Sequence, residues 1–310
     1  MDTPRLHSMS SGLKAALDDQ CLTFFEALKG AGVAPSSPSE LVADGRLHRH
    51  HVEGNRRGTR NGWHILHVDA PASGAGGSWK SGVRVTWCAK SRQTLSAPEL
   101  AILRRRIEQE RAAAQAERDT QHRKAARTGA WVWNHARAAD PAHGYLCRKW
   151  LQPGIARQRG DALVLPVLDF SGYLRGVQYI RPDGQKRFLR GMKKTSAFIP
   201  VVERPNGTRP IWIAEGWATA STLQSLRPFV CVIAGIDAGN ILAVAVEARR
   251  RWPKLDIVIC PDFDPVGITK GRDAALAARA RILPPPGMIP PSCSDWNDVM
   301  TTRGRGTAHA

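Results

Sequence analysis

Apolar residues recur at helical spacing through residues 12–31, where Leu17, Cys21, Phe24, Phe25 and Leu28 share one stripe. The Gly- and Pro-containing stretch 30–38 ends that pattern. From 40 to 90 the period shortens. Runs at 63–68 and 83–87 read as strands, with turn sequences at Asp44-Gly45, Asn61-Gly62 and 74–77 between them. Ser96-Ala97-Pro98-Glu99 then reads as a helix start, with Ser96 at the N-cap, Pro98 in the first turn and Glu99 closing a capping box. The Ala/Arg/Glu/Gln-rich stretch that follows, to about Arg127, predicts a helix of about 30 residues and about 45 Å. A further helical stretch is expected over 130–150.

From residue 161 the pattern is again of strands, at 163–168, 174–180 and 198–202, with turns at 169–172 and 182–184. After 209 strand and helix alternate: strand 211–214 with helix 218–226, strand 230–234 with helix 240–250, strand 257–260 with helix 271–282. Such alternation predicts an α/β fold with a parallel sheet, flanking helices and right-handed crossovers. A Pro-rich crossover at 284–291 leads to Ser294-Asp295-Trp296-Asn297-Asp298, and the small, polar, basic tail from 301 is expected to be disordered.

Two of the strands end abruptly in acid. Ile-Trp-Ile-Ala is followed by Glu215, and Ile-Val-Ile-Cys-Pro by Asp262 and Asp264. Carboxyl ends of strands in an open α/β sheet line the ligand crevice. Acids gathered there repel one another and call for a cation, and oxygen-only ligation suits Mg²⁺ or Mn²⁺. Charge sharpens the picture. Lys and Arg number 45 against 27 Asp and Glu, a net charge of +18, which implies a polyanionic partner. A hard cation in a basic protein points to phosphate chemistry on nucleic acid. Lys186, Arg187, Arg190, Lys193 and Lys194 form the strongest run for nucleotide or template contact. Arg104, Arg105, Arg106 and Arg111 offer a basic helix face, either touching DNA or solvated. Trp63, Trp79 and Trp87 are expected to fill the core of a small sheet, with base stacking as the alternative. Histidines crowd at His48, His50, His51, His64 and His67 and are read as solvated or phosphate-facing. The six cysteines include no C-x-x-C pair, so neither a disulfide framework nor a zinc ribbon is supported. No run reaches the length of a membrane span and the N-terminus has no apolar signal core, so a cytoplasmic, non-membrane protein is expected.

Glu215-Gly216, then Asp262-Phe263-Asp264 with Gly267 and Arg272-Asp273-Ala274-Ala275, resembles the glutamate turn and D-x-D…G-x-x-A-A segment of the Toprim domain, and Asp295-Trp296-Asn297-Asp298 its third acidic segment. Pieces elsewhere, among them Asn61-Gly62-Trp63, His143-Gly144-Tyr145-Leu146, Gly176-Val177-Gln178-Tyr179-Ile180, Lys186-Arg187-Phe188-Leu189 and Ala238-Gly239-Asn240, resemble primases of conjugative plasmids, phages and satellite elements. The resemblance implies an N-terminal α+β module at 1–95, with a possible role in template binding, and a linker helix at 96–128. It further implies a primase core subdomain at 129–208, a Toprim catalytic domain at 209–300 and a flexible tail at 301–310. It implies synthesis of short RNA primers on single-stranded DNA from NTPs. Catalytic and metal roles fall on Glu215, Asp262 and Asp264, further metal contacts on Asp295 and Asp298, and nucleotide or template contacts also on Asn240, Lys270 and Arg272. Three departures stand out. No zinc-module ligand set is present, Thr219 stands where chromosomal primases tend to place an acid, and no P-loop G-x-x-x-x-G-K-[ST] occurs, which implies a separate helicase partner. A Toprim nuclease or a non-catalytic DNA-binding accessory protein are the alternatives. No tyrosine lies near the acids in sequence, against a topoisomerase.

Overall fold

The computed structural model describes residues 11–91, 94–283 and 292–307. The Pro-rich crossover at 284–291 lies outside the described residues. The chain divides into two compact units, one through Ala113 and one from Ala114 onward.

In the first unit helix α1 (Ser11–Gly30) and a 3-10 turn (Pro38–Glu40) precede four strands, β1 (His48–His50), β2 (Gly62–His67), β3 (Ser73–Ser78) and β4 (Arg84–Cys88). They form one antiparallel sheet in sequence order. Phe24, Phe25 and Leu28 of α1 pack with Val33, Leu41 and Leu66 into its core. Two glycine-rich segments expected as turns belong to this sheet: 74–77 lies within β3 and Gly62 opens β2. The reason is close packing, because a Cβ on Gly74 would lie 2.9 Å from the Phe24 ring and one on Gly76 2.6 Å from Leu28. Glycine is what lets α1 settle onto this strand.

The histidine cluster also departs from expectation. His50 and His64 are 3% and 0% exposed and form a buried pair through their Nδ1 atoms, 3.1 Å apart. The Val42 N–H donates to His64 Nε2, so His64 carries its proton on Nδ1 and donates it to His50 Nδ1. That leaves His50 Nε2–H to donate to the Val33 carbonyl. Every ring nitrogen is satisfied with both imidazoles neutral. Burial, then the His50 and His48 charges, lowers His64 to a pKa of about 4.

Helix α2 (Ala97–His135) begins at the expected capping box, where Glu99 accepts from the Ser96 N–H and hydroxyl. It runs past Arg127, and the boundary between units falls inside it. The helix expected over 130–150 is interrupted by strand β5 (Arg137–Ala138), and a short helix, α3 (Gly144–Lys149), follows Pro141.

In the second unit β5 leads a meander with β6 (Arg157–Arg159), β7 (Ala162–Leu168), β8 (Leu174–Ile180) and β9 (Lys186–Phe188). The C-terminal part of α2 lies against it, with Gly129 so close that a Cβ would stand 2.8 Å from Gly176 Cα. The chain continues through β10 (Ile199–Pro200), β11 (Ile211–Ala214), α4 (Trp217–Leu226), β12 (Cys231–Ala234), α5 (Ala238–Arg251), β13 (Ile257–Cys260), α6 (Pro265–Ala277), β14 (Arg281–Ile282) and α7 (Trp296–Thr307). The sheet order is β10-β12-β11-β13-β14, parallel except for β10. The central strands are apolar throughout because both faces are covered. Alternation divides them. Ile213, Ile233 and Ile259 face α5 and α6, while Ala214, Val232 and Cys260 share a core with Trp217 and Leu223 of α4 and with Leu163, Leu165 and Ile180 of the meander.

Two further expectations change. The helix expected at 271–282 begins earlier, at Pro265, because Asp264 caps it with Pro265 in the first turn, and Arg281–Ile282 is an edge strand. The segment from Thr301, expected as an irregular tail, continues α7 to Thr307. No helix among the described residues is long and apolar enough to cross a membrane.

Candidate active site

Strands β11 and β13 run side by side, with Ala214 level with Cys260, so Glu215 and Asp262 leave the sheet at the same edge. Glu215 is half-buried and its Oε2 is buried without a partner. Burial raises its pKa, the Ala238 N–H holds it back, Asp264 and Asp237 repel it further, and Lys186 draws it down. Asp262 Oδ1 is likewise buried and unpartnered. Its pKa is pushed up to about 8 by burial first, then by Glu215, Asp295 and Asp264, with Lys186 opposing. These shifts describe one electrostatic pocket of converging carboxylates with a single lysine beside them.

Asp264 is exposed, and its Oδ1 accepts from the Val266 and Gly267 N–H groups, 2.9 and 2.8 Å away. The acid is therefore a helix cap as well as a member of the pocket. A Cβ on Gly267 would lie 2.8 Å from the Asp262 carbonyl oxygen, so the tight D-x-D turn depends on that glycine. The 294–298 segment is brought to the pair by a Phe263 N–H···O=C Ser294 bond of 2.7 Å and an edge contact between Phe263 and Trp296. Asp295 receives the Asp298 N–H and repels Asp262.

Asp298 differs from expectation. One oxygen pairs with Lys149 at 2.7 Å and the other accepts from the Ser294 N–H and hydroxyl. Burial raises its pKa, but Lys149 and Ser294 outweigh it and the net shift is downward. One oxygen thus fastens α7 to α3 and the other holds the segment that leads into α7. Asn240 is 7% exposed, donates to the Ala197 and Gly235 carbonyls and accepts from the Ser196 N–H, and so clamps a loop.

The basic run divides. Lys186 on β9 joins the acids, with its Nζ 3.8 Å from where a Gly216 Cβ would stand. Lys194 pairs with Asp237 at 2.9 Å and lies over the Phe188 ring. Lys193 lines a different hollow with Asp169, Arg175 and Glu247. Arg187 and Arg190 are exposed, as are Lys270 and Arg272 on α6. Asp237 was missed from sequence, although it follows strand β12 by the same logic as Glu215 and Asp262. Lys149 gave no signal, since its partner lies far along the chain. A cavity of about 800 Å³ in this unit is lined by Trp150, Leu151, Val201, Ser221 and Met300 and by none of the acids.

The chemistry of the donors fits a hard divalent cation: two orphaned, buried carboxylate oxygens flanked by further acids. Among the described residues, however, no three His, Cys, Asp or Glu side chains are grouped closely enough to grip an ion as they stand. Of the five acids expected from sequence, Glu215 and Asp262 carry the orphaned oxygens, and Asp264 and Asp295 lie near enough to raise the pKa of Asp262.

The chain is similar to several known proteins. Two DNA primases TraC of Escherichia coli are each 31% identical to the chain, over 256 and 269 residues. These matches cover 80% and 82% of this chain but only 24% and 18% of the relatives, so the chain spans about a quarter of their length or less. Among solved structures, the Aquifex aeolicus primase (zinc-binding and RNA polymerase domains) aligns with 97% of this chain and 84% of its own at a TM-score of 0.43 and 12% identity. The primase fragment of the bacteriophage T7 primase-helicase protein aligns with 56% of this chain and 73% of its own at a TM-score of 0.40 and 18% identity. Residues 210–306 match the Toprim domain family, and the acid-edged parallel sheet found there makes this segment of the chain a Toprim domain.

Proposed function

We propose that the chain is the catalytic part of a DNA primase that joins ribonucleotides into short primers on single-stranded DNA for a mobile element. The observation that carries this reading is the meeting of Glu215 and Asp262, each with an orphaned buried oxygen, beside Lys186 at the edge of the parallel sheet. Similarity to the TraC primases over most of the chain supports the same reaction class.

In this reading a primer 3′-hydroxyl attacks the α-phosphate of an NTP and pyrophosphate leaves. Asp262, with Glu215, would hold a divalent metal, Mg²⁺ or Mn²⁺, which when bound would neutralise and orient the triphosphate. Glu215 would either share in holding the metal or accept the hydroxyl proton as general base. Asp264 is held by its cap bonds, so its carboxylate meets the reactants pre-oriented. Lys186 offsets charge on the phosphates, and Arg187, Arg190, Lys270 and Arg272 extend a basic surface for nucleotide or template. A replicative helicase would open the template.

The test is a gel assay for new oligonucleotides on single-stranded circular DNA with labelled NTPs and Mg²⁺ or Mn²⁺, with Asp262→Asn as control. NTP-dependent short products that vanish in the variant are expected. Metal-dependent cleavage of the template without NTPs would replace the primase reading with a nuclease.

A further inference from the structure

The N-terminal unit carries a feature that the acid site does not use. Strand register sets Arg49, Trp63, Gly77 and Arg84 in a row across β1, β2, β3 and β4. In β2 the even-numbered residues His64 and Leu66 are buried, so the odd-numbered row lies on the sheet's other face. Gly77 contributes no side chain, and the Trp63 ring lies over it, 3.2 Å from where a Cβ would stand. Trp79 follows β3 and is fixed by its N–H to the Asn61 carbonyl at 3.0 Å. Its ring is 6.0 Å from that of Trp63. Arg49 lies 4.6 Å over Trp79, and Arg84 5.7 Å from Trp63. The result is a continuous ladder of arginine, tryptophan, tryptophan and arginine.

Two properties separate this ladder from core filling. Trp87, on the opposite face, packs against Phe24 as a core residue does, whereas Trp79 is 52% exposed. Its cations are also unneutralised. Among the described residues, no ion pair includes Arg49, Arg60, Lys80 or Arg84, all of which are exposed in this region. The Arg60 side chain donates to the Arg49 carbonyl and Lys80 to Asn55, which keeps both beside the ladder without cancelling their charge. An open tryptophan among free guanidinium groups matches a ligand with flat faces and a regular negative backbone. A duplex hides its base faces, and an acidic peptide has no rings at phosphate spacing.

We propose that this sheet face is a binding platform for single-stranded nucleic acid, with a base stacked on the open side of Trp79 and adjacent phosphates meeting Arg49 and Arg84. The platform gives the N-terminal unit a task of its own, holding unpaired strand independently of the acid chemistry.

The test uses the full chain and a fluorescein-labelled thymidine oligonucleotide, read by anisotropy with neither NTPs nor divalent metal present. Trp79→Ala is expected to weaken binding about tenfold, and Trp79→Phe to restore most of it. Arg49→Ala with Arg84→Ala should reduce the slope of log affinity against log salt by about 1.4, from about 0.7 per phosphate contact on a single strand. A duplex of equal length should bind Trp79→Ala and the parent chain equally. Wild-type affinity in Trp79→Ala, or an equal loss for duplex and single strand, overturns the proposal. If Trp79→Ala alters the circular dichroism spectrum, the Trp79→Phe and double-arginine variants decide in its place. Because the assay contains no NTP, a failure of priming leaves this result standing, and the reverse also holds.

Discussion

Acid should loosen the N-terminal unit through two histidines. His50 and His64 are satisfied only as neutral rings, since a second proton on His64 would meet the Val42 N–H and one on His50 Nδ1 would meet the His64 Nδ1–H. Burial, backed by the His50 and His48 charges and resisted by Asp44, holds His64 at about 4 against 6.5 in the unfolded chain. His50 is lowered as well, by burial and then by Arg60 and His51, with Val33 and Glu40 resisting. The unfolded state therefore takes up protons first. The stability these neutral rings contribute is complete above about pH 6.5 and is lost as pH falls toward 4. For His64 the loss sums to about 3 kcal/mol, from about 1.4 kcal/mol per pH unit. That is a large share of what a small domain possesses. Urea unfolding of the full chain, followed by tryptophan fluorescence at stepped pH between about 7.5 and about 4.5, reads the slope. His64→Gln, which cannot titrate, should lose much of it. Identical pH slopes in the two proteins would falsify the assignment. Because Arg49 and Trp63 sit on the same two strands, one residue along, acid that melts the pair should also release bound oligonucleotide.

Other consequences can be checked directly. Glu215→Gln should lower priming by at least about a hundredfold with an unchanged melting temperature, read in single-turnover assays. Lys186→Ala should raise the apparent KM for NTP, whereas Lys193→Ala, in a different hollow, should not; equal effects would return the whole basic run to the site. Asn240→Ala removes three hydrogen bonds from a buried clamp and should cost about 3 kcal/mol in denaturant unfolding. Gly77→Ala would drive a Cβ against the Val83 carbonyl and should destabilise the N-terminal unit by about 1–3 kcal/mol in the same measurement.

Legibility followed the range of the interactions involved. Strands 211–214 and 257–260 were read to the residue because both faces are buried and every position is apolar. Glu215, Asp262 and Asp264 stood out because acid abruptly follows those runs. The start of α6 was in principle visible, as Asp264-Pro265 is a cap followed by a first-turn proline, but a reading of the acid as ligand alone obscured it. Strand β3 was hidden for another reason. Its sequence, Ser-Gly-Ala-Gly-Gly-Ser, has turn composition, and only the nearness of Phe24 and Leu28 explains why a strand there must lack side chains. The Lys149–Asp298 pair and the Asn240 clamp join residues distant in sequence, so no local pattern announces them. Asn240 was singled out through the resemblance of Ala238-Gly239-Asn240 to primases, and its three hydrogen-bond partners could not be read from sequence.

The shared core of the second unit bears on how such a segment can be moved between proteins. Trp217 and Leu223 of the Toprim sheet's helix pack in one cluster with Leu163, Leu165 and Ile180 of the preceding meander, and β10, which lies before the Toprim match begins, supplies that sheet's edge strand. Asn297 of α7 also donates to the Lys149 carbonyl at the end of α3. A cut at residue 209 would thus expose apolar surface on both fragments and leave an open strand edge. The unit that keeps this packing together runs from Ala114 onward, well before the stretch that the Toprim family delimits begins.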